Sequence, residues 1–127
     1  MRMGLVFLVF VGGGVGSVAR HLLATAIQRN APEGFPFGTF FVNLIGCFAI
    51  GVVGTLGFER AALSPEARTF LMVGILGGFT TFSSFTWETL GLLSVKDVLR
   101  AGLYVGGSVV LGLLGTVLGR AIGRVGA

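Results

Sequence analysis

Between Gly74 and Glu88 the chain reads Gly-Ile-Leu-Gly-Gly-Phe-Thr-Thr-Phe-Ser-Ser-Phe-Thr-Trp-Glu, a polar stretch set in apolar sequence. Polar groups in hydrocarbon are costly and ordinarily face a partner or a water-filled path. At helical spacing Phe82, Phe85 and Thr89 share one face, and Thr81, Ser84 and Glu88 share the next. Phenyl edges carry partial positive charge, and hydroxyls donate hydrogen bonds. Such a face suits a small, strongly hydrated anion that has to exchange water for weak donors without being trapped by a fixed cation. Two other segments offer donors: Thr39 and Asn43, four apart and followed by Gly46, and Tyr104 and Ser108, four apart and followed by Gly112 and Gly115. Taken alone, a Phe stripe is ordinary packing and an Asn amide is interhelical glue. The company of Ser, Thr and Asn is what favours an anion path. Arg20 either snorkels or forms a positive vestibule that draws an anion in. An ionised Glu88 would repel an anion, so it is protonated, bonded to nearby hydroxyls, or placed at the interface beside Trp87.

The elements that must position these groups are membrane helices. The chain has 127 residues, 54% hydrophobic, with 23 glycines and only 11% charged, and a mean hydropathy of +0.96. Soluble domains carry roughly 25% charged residues, and no water-soluble globule could hide this much apolar sequence. Uncharged runs cover 3–19, 34–58, 69–87 and 101–119, each near the roughly 20 residues that cross a bilayer. We place spans at 5–27, 37–57, 68–93 and 98–122, in a single four-span domain over 1–127. Pro36 precedes the second, and Ser64-Pro65-Glu66 has the form of an N-cap with Pro at the first helical position. In span 3, two glycines followed by two β-branched threonines make poor helix in mid-bilayer, so a break is expected there. Broken membrane helices present carbonyls to cations and N–H groups to anions. If a two-fold axis in the membrane plane passed through the break, carbonyls near Gly77 and Thr80 of two copies would converge on one small cation; otherwise the break is a packing kink.

Four spans place both termini on one side. Arg2, Arg60, Arg68, Arg120 and Arg124 lie there, against Arg29, Lys96 and Arg100 on the other, with Arg20 a possible fourth. So weak a bias does not fix orientation, which permits both insertions and an antiparallel pair. Gly12 and Gly16, Gly102 and Gly106, then Gly115, Gly119 and Gly123 repeat at four residues, the spacing that lets membrane helices approach closely.

Other function classes find little support. The pI near 10.7 would suggest nucleic acid in a soluble protein, but here the arginines cluster at helix ends, where they meet lipid headgroups. Cys47 is the single cysteine and His21 the single histidine, which leaves no intrachain disulfide and no metal site built from His and Cys. The N-terminus imitates a signal peptide, from Met1-Arg2 to Ala24-Thr25-Ala26, but Arg20 interrupts it, and a retained span is expected. Gly14 to Ala19 matches a dinucleotide fingerprint without its strand or acidic residue. No nucleophile–base pair is visible, so no enzyme is expected.

Three stretches then carry a family resemblance: Gly13 to Arg20 (Gly-Gly-Val-Gly-Ser-Val-Ala-Arg), Gly38 to Gly46 (Gly-Thr-Phe-Phe-Val-Asn-Leu-Ile-Gly), and Gly74 to Phe85. In this order and at these spacings the chain resembles the Fluc fluoride channels, the CrcB family. The resemblance implies an all-α membrane protein of the cell inner membrane, an antiparallel dual-topology homodimer with two pores for passive export of cytoplasmic fluoride. It implies that Asn43 coordinates fluoride, that Phe82 and Phe85 form an aromatic box, and that Ser83, Ser84, Thr86 and Glu88 contribute a polar track. Thr39, Tyr104 and Ser108 would add pore-wall hydroxyls, Arg20 would sit at the vestibule, and backbone oxygens of Gly77 and Thr80 would hold a structural sodium ion at the dimer centre. Two residues depart from the family pattern: His21, where an aromatic is frequent after the arginine, and Gly112, where another hydroxyl is expected. The main rival from another class is a proton-coupled exporter of the small multidrug-resistance type. It needs a membrane-embedded acid, and only Glu88 could serve. A non-transporting assembly protein would leave the polar, broken span 3 an unexplained cost.

Overall fold

The computed structural model describes residues 2–125; Met1, the start of the signal-like segment, lies outside the described residues. Four helical spans, Met3–Asn30, Phe37–Glu59, Pro65–Ser94 and Val98–Val125, are long and apolar enough to cross a bilayer. Helix α1 is Met3–Asn30 and runs unbroken through Arg20. Helix α2 is Phe37–Gly54, continued by a wider π-helical turn over Thr55–Glu59. The third span is two rods. The first, α3 (65–79), is α-helical over Pro65–Arg68, π-helical over Thr69–Leu76 and α-helical again over Gly77–Phe79. The second, α4, is Phe82–Ser94, and α5 is Val98–Val125. The helices overrun the expected spans by up to three residues at their ends, because residues such as Arg29 and Arg124 extend helix past the hydrocarbon while their charges reach water.

Local chemistry sets the boundaries. Ser64 Oγ accepts the Ala67 N–H at 3.1 Å with Pro65 at the first helical position. Asp97 Oδ1 accepts the Arg100 N–H at 3.2 Å at the start of α5. The turn into α2 is tied by Gln28, whose Nε2 donates to the Phe35 carbonyl at 3.1 Å and whose Oε1 accepts the Gly38 N–H at 3.0 Å.

Lipid tails supply no hydrophobic drive between helices, so close backbone packing has to hold the bundle. Helix α1 packs on α3 and α2 on α5, and the two pairs meet along α1 and α2. Glycine makes both seams possible. A Cβ at Gly12 would come 2.9 Å from the Phe70 carbonyl oxygen, and one at Gly16 would run into the Ile75 carbonyl. Gly119 faces the Phe48 carbonyl and Gly123 the Thr55 side chain in the same way. Gly102 and Gly106 have no neighbour within 4 Å, so that pair of the four-residue repeats faces outward. Buried apolar side chains are few: Val42, Leu92, Ala101 and Tyr104.

The start of α1 and the last turns of α5 share one end of the bundle, where Arg2 pairs with Glu66 at 3.0 Å and Arg120 with Glu59 at 2.9 Å. Gly119→Ala, which forces α5 away from α2, is expected to cost about 1–3 kcal/mol, read as a lower unfolding temperature in detergent. Gly4→Ala, with nothing within 4 Å of its Cβ position, should not lower that temperature, since Ala is the better helix former.

Candidate functional site: an uncharged donor groove beside a broken helix

The break falls at Thr80 and Thr81, whose ψ angles of 158° and 120° are extended. Gly77 and Gly78 remain helical. Gly78 is required by packing rather than by the turn, since a Cβ there would lie 2.5 Å from the Gly13 carbonyl oxygen of α1. Thr81 caps the second rod, its Oγ1 accepting the Ser84 N–H at 3.1 Å. Thr80 turns back, its hydroxyl donating to the Leu76 carbonyl at 3.0 Å alongside its own N–H at 3.1 Å.

Asn43 holds the opened chain. Its Oδ1 accepts the Thr81 N–H at 2.8 Å and its Nδ2 donates to the Thr81 carbonyl at 3.0 Å. The side-chain amide thus pairs with extended backbone as a neighbouring strand would. A continued helix would send the Thr81 N–H to the Gly77 carbonyl and the Ser84 N–H to the Thr80 carbonyl. Both donors go instead to side chains, which releases the carbonyls of Gly77 and Thr80 at the negative end of α3. Neutral oxygens of this kind suit a hard monovalent cation. Between them in sequence, the Gly78 carbonyl accepts Arg20 Nε at 3.1 Å. Arg20 therefore reaches the break itself rather than the helix end.

Beside the break lies a groove of about 380 Å³ whose lining includes Asn43, Cys47, Thr81, Phe82, Phe85 and Ser108. None of its lining residues carries a formal charge. One Nδ2 hydrogen of Asn43 remains after the Thr81 bond. Ser108 Oγ is buried and has no hydrogen-bond partner among the described residues. The Phe82 and Phe85 rings are 5.6 Å apart between centroids, and Phe85 is 5.0 Å from Tyr104. Phe82 is 76% exposed, so this side of the groove is uncovered.

A second recess, lined by Thr39, Ser83, Ser84, Trp87 and Glu88, follows one turn along α4. Glu88 accepts two hydroxyls: Thr39 Oγ1 donates to Oε2 at 3.1 Å and the Tyr104 hydroxyl to Oε1 at 3.2 Å. Bonding to neighbouring hydroxyls, one of the arrangements open for this acid, is present in the structure. Thr39 and the fully buried Tyr104 therefore present their protons to the carboxylate. Thr86 bonds the Ser83 carbonyl at 2.9 Å on an exposed face. Asn43, Phe82, Phe85 and Ser108 meet in the first recess, Thr39, Ser83, Ser84 and Glu88 in the second, and Tyr104 joins them. Two residues named in the sequence have roles there that the sequence did not give them. Thr81 matters through its backbone, which no side-chain pattern signals. Cys47 lines the groove, with its Sγ 3.3 Å from where a Cβ on Gly112 would stand; its place four residues after Asn43 was the available sign.

Residues 7–120 match the family described as CrcB-like protein, Camphor Resistance (CrcB). Relatives named fluoride-specific ion channel FluC occur in Nitratidesulfovibrio vulgaris (45% identical, 94% of this chain and 97% of the relative), Thermus thermophilus (51%, 91% of each) and Aquifex aeolicus (42%, 96% and 98%).

Asn43→Leu keeps the bulk but removes the amide, leaving the Thr81 N–H and carbonyl unpaired at about 1–3 kcal/mol each. Amide exchange at Thr81 should accelerate strongly while Val42, in the middle of α2, keeps its protection. Unchanged exchange at Thr81 would mean that something other than Asn43 holds the break.

Proposed function

Because the chain belongs to the CrcB family, we propose that it is a fluoride-selective ion channel of the inner membrane, carrying fluoride passively out of the cytoplasm. The observation that carries this reading is the groove of hydrogen-bond donors and phenyl rings without a formal charge. Fluoride holds its hydration shell tightly, so a path through hydrocarbon has to replace that shell. A lysine or arginine would do so but would also retain the ion. The remaining Asn43 N–H, the unpaired Ser108 hydroxyl and the edges of Phe82 and Phe85 are weak donors in sequence. Ser83 and Ser84 extend them along α4 as a polar track, with Thr86 at its exposed edge, its hydroxyl given to the Ser83 carbonyl. Thr39 and Tyr104, by bonding Glu88, draw the carboxylate into the wall and soften its repulsion. Arg20, with guanidinium N–H groups beyond the one given to Gly78, adds positive potential beside the break.

The working unit is an antiparallel pair of protomers, supported by the uncovered Phe82 and by the near-even distribution of basic residues between the two ends. In such a pair each of two pores takes residues from both copies. The released Gly77 and Thr80 carbonyls of the two protomers would hold one sodium ion at the centre. When bound, that cation offsets the negative ends of two half-helices. The names of the relatives favour a channel over a proton-coupled exporter, and Glu88 is tied to two hydroxyls rather than open to a drug site.

Liposomes holding the protein should lose fluoride rapidly under an imposed voltage, without a proton gradient, and lose almost no chloride. Equal rates for both anions, or efflux only with a pH gradient, would reject the channel. Phe82→Ile should reduce fluoride efflux about tenfold or more, the effect of roughly 1.4 kcal/mol at the barrier, with the oligomeric mass unchanged by light scattering. Replacing sodium with N-methylglucamine should lower the unfolding temperature of the wild type through lost ligand stabilisation; an identical temperature would remove the sodium site from the proposal.

A further inference from the structure

A recess of about 440 Å³, separate from the donor groove, opens between the 31–36 loop, the start of α2 and the first half of α5. Its lining combines two charged residues of the membrane boundary, Arg100 and Glu33, with an apolar depth formed by Phe37, Phe40 and the α5 stripe Leu103, Gly107 and Leu111. Those three α5 residues recur every fourth position and so form one strip descending from Arg100. From Arg100 to Leu111 the helix rises about 16 Å. That is close to half of the roughly 30 Å hydrocarbon core, the depth of one acyl chain in one leaflet. Leu103 and Leu111 are 58% and 45% exposed. Between them Gly107 leaves the floor to the Phe40 ring, which a Cβ would meet at 3.4 Å.

Arg100 is fixed at the mouth from two sides. Its Nη1 donates to Asp97 Oδ2 at 3.3 Å. Its guanidinium also lies against Gly34, where φ is +93° and a Cβ would come 2.5 Å from Nη1. Half of the side chain stays exposed, and the other guanidinium N–H groups are left for a second acceptor. Asp97 offsets much of its charge, so the mouth is not a general anion trap. Glu33 adds an acceptor for a cation beside it.

We propose that this recess binds one aminophospholipid of the phosphatidylethanolamine type per protomer, with the phosphate on Arg100, the ammonium on Glu33 and one acyl chain along Leu103, Gly107 and Leu111. A cation and an acid above an apolar strip one leaflet deep match the three parts of that lipid. Phosphatidylglycerol lacks the ammonium, and the quaternary ammonium of phosphatidylcholine has no N–H to donate to Glu33.

Native mass spectrometry of the detergent-solubilised protein, titrated with these three lipids carrying identical acyl chains, tests the site. The wild type should retain phosphatidylethanolamine about fivefold better than either other lipid, the scale of one interfacial charge contact. Arg100→Gln should lower its retention by about the same factor. Glu33→Gln should bring it down to the phosphatidylcholine level. Gly107→Leu, which fills the strip and leaves both charged groups, should weaken all three lipids, whereas Arg2→Gln at the opposite end should change none. Equal retention of the three lipids by the wild type would overturn the proposal without reliance on any variant. Retention unchanged in both Arg100→Gln and Gly107→Leu would overturn it as well. So would efficient disulfide cross-linking of Leu111→Cys between two copies in membranes, which would show the recess covered by protein.

Discussion

One side-chain amide governs this structure. By pairing both of its ends with the Thr81 backbone, at 2.8 and 3.0 Å, Asn43 lets the third span stay open in hydrocarbon, where unpaired peptide groups cost several kcal/mol each. Every other feature of the candidate site follows from that opening. The Thr81 N–H no longer serves Gly77, the capping Thr81 hydroxyl takes the Ser84 N–H away from Thr80, and the two free carbonyls mark the end of α3. The second rod restarts at a new angle, which brings Phe82 and Phe85 over the face of α2 that carries Asn43 itself. The residue that stabilises the break therefore also lines the groove the break creates.

Charge is managed around this site rather than within it. Arg20 sits on the Gly78 carbonyl, and Glu88 is wrapped by Thr39 and Tyr104. The groove between them is lined by uncharged residues only, a few neutral donors among apolar side chains. Hydrocarbon magnifies any fixed charge, so a path for an ion that must both enter and leave works best when its ligands are individually weak. Pairing each charged side chain with a polar partner leaves the field of the wall mild.

Much of this was legible in the sequence. The uncharged runs located four spans, since a charge inside hydrocarbon is too costly to be common. The Gly-Gly-Phe-Thr-Thr run located the break to within a few residues. Within that run the threonines carry the break, while Gly78 answers to the Gly13 carbonyl of α1, a neighbour that periodicity does not reveal. The pairings Asn43–Thr81, Thr39–Glu88 and Arg20–Gly78 join residues 38, 49 and 58 positions apart. They depend on how the rods pack, so the residues could be singled out as polar groups in apolar spans but not assigned to one another. The outward Gly102 and Gly106 show the converse: a repeat with the right spacing that packs against nothing in the chain.

The central claim, that neutral donors around a broken helix carry fluoride and no coupled proton, is tested most directly by the reversal potential in a planar bilayer. Under a tenfold fluoride gradient with chloride and pH equal on both sides, the account predicts a potential near fluoride's equilibrium value, about 59 mV, unmoved by a superimposed pH gradient. A reversal potential that follows chloride, or that shifts with the proton gradient, would contradict it.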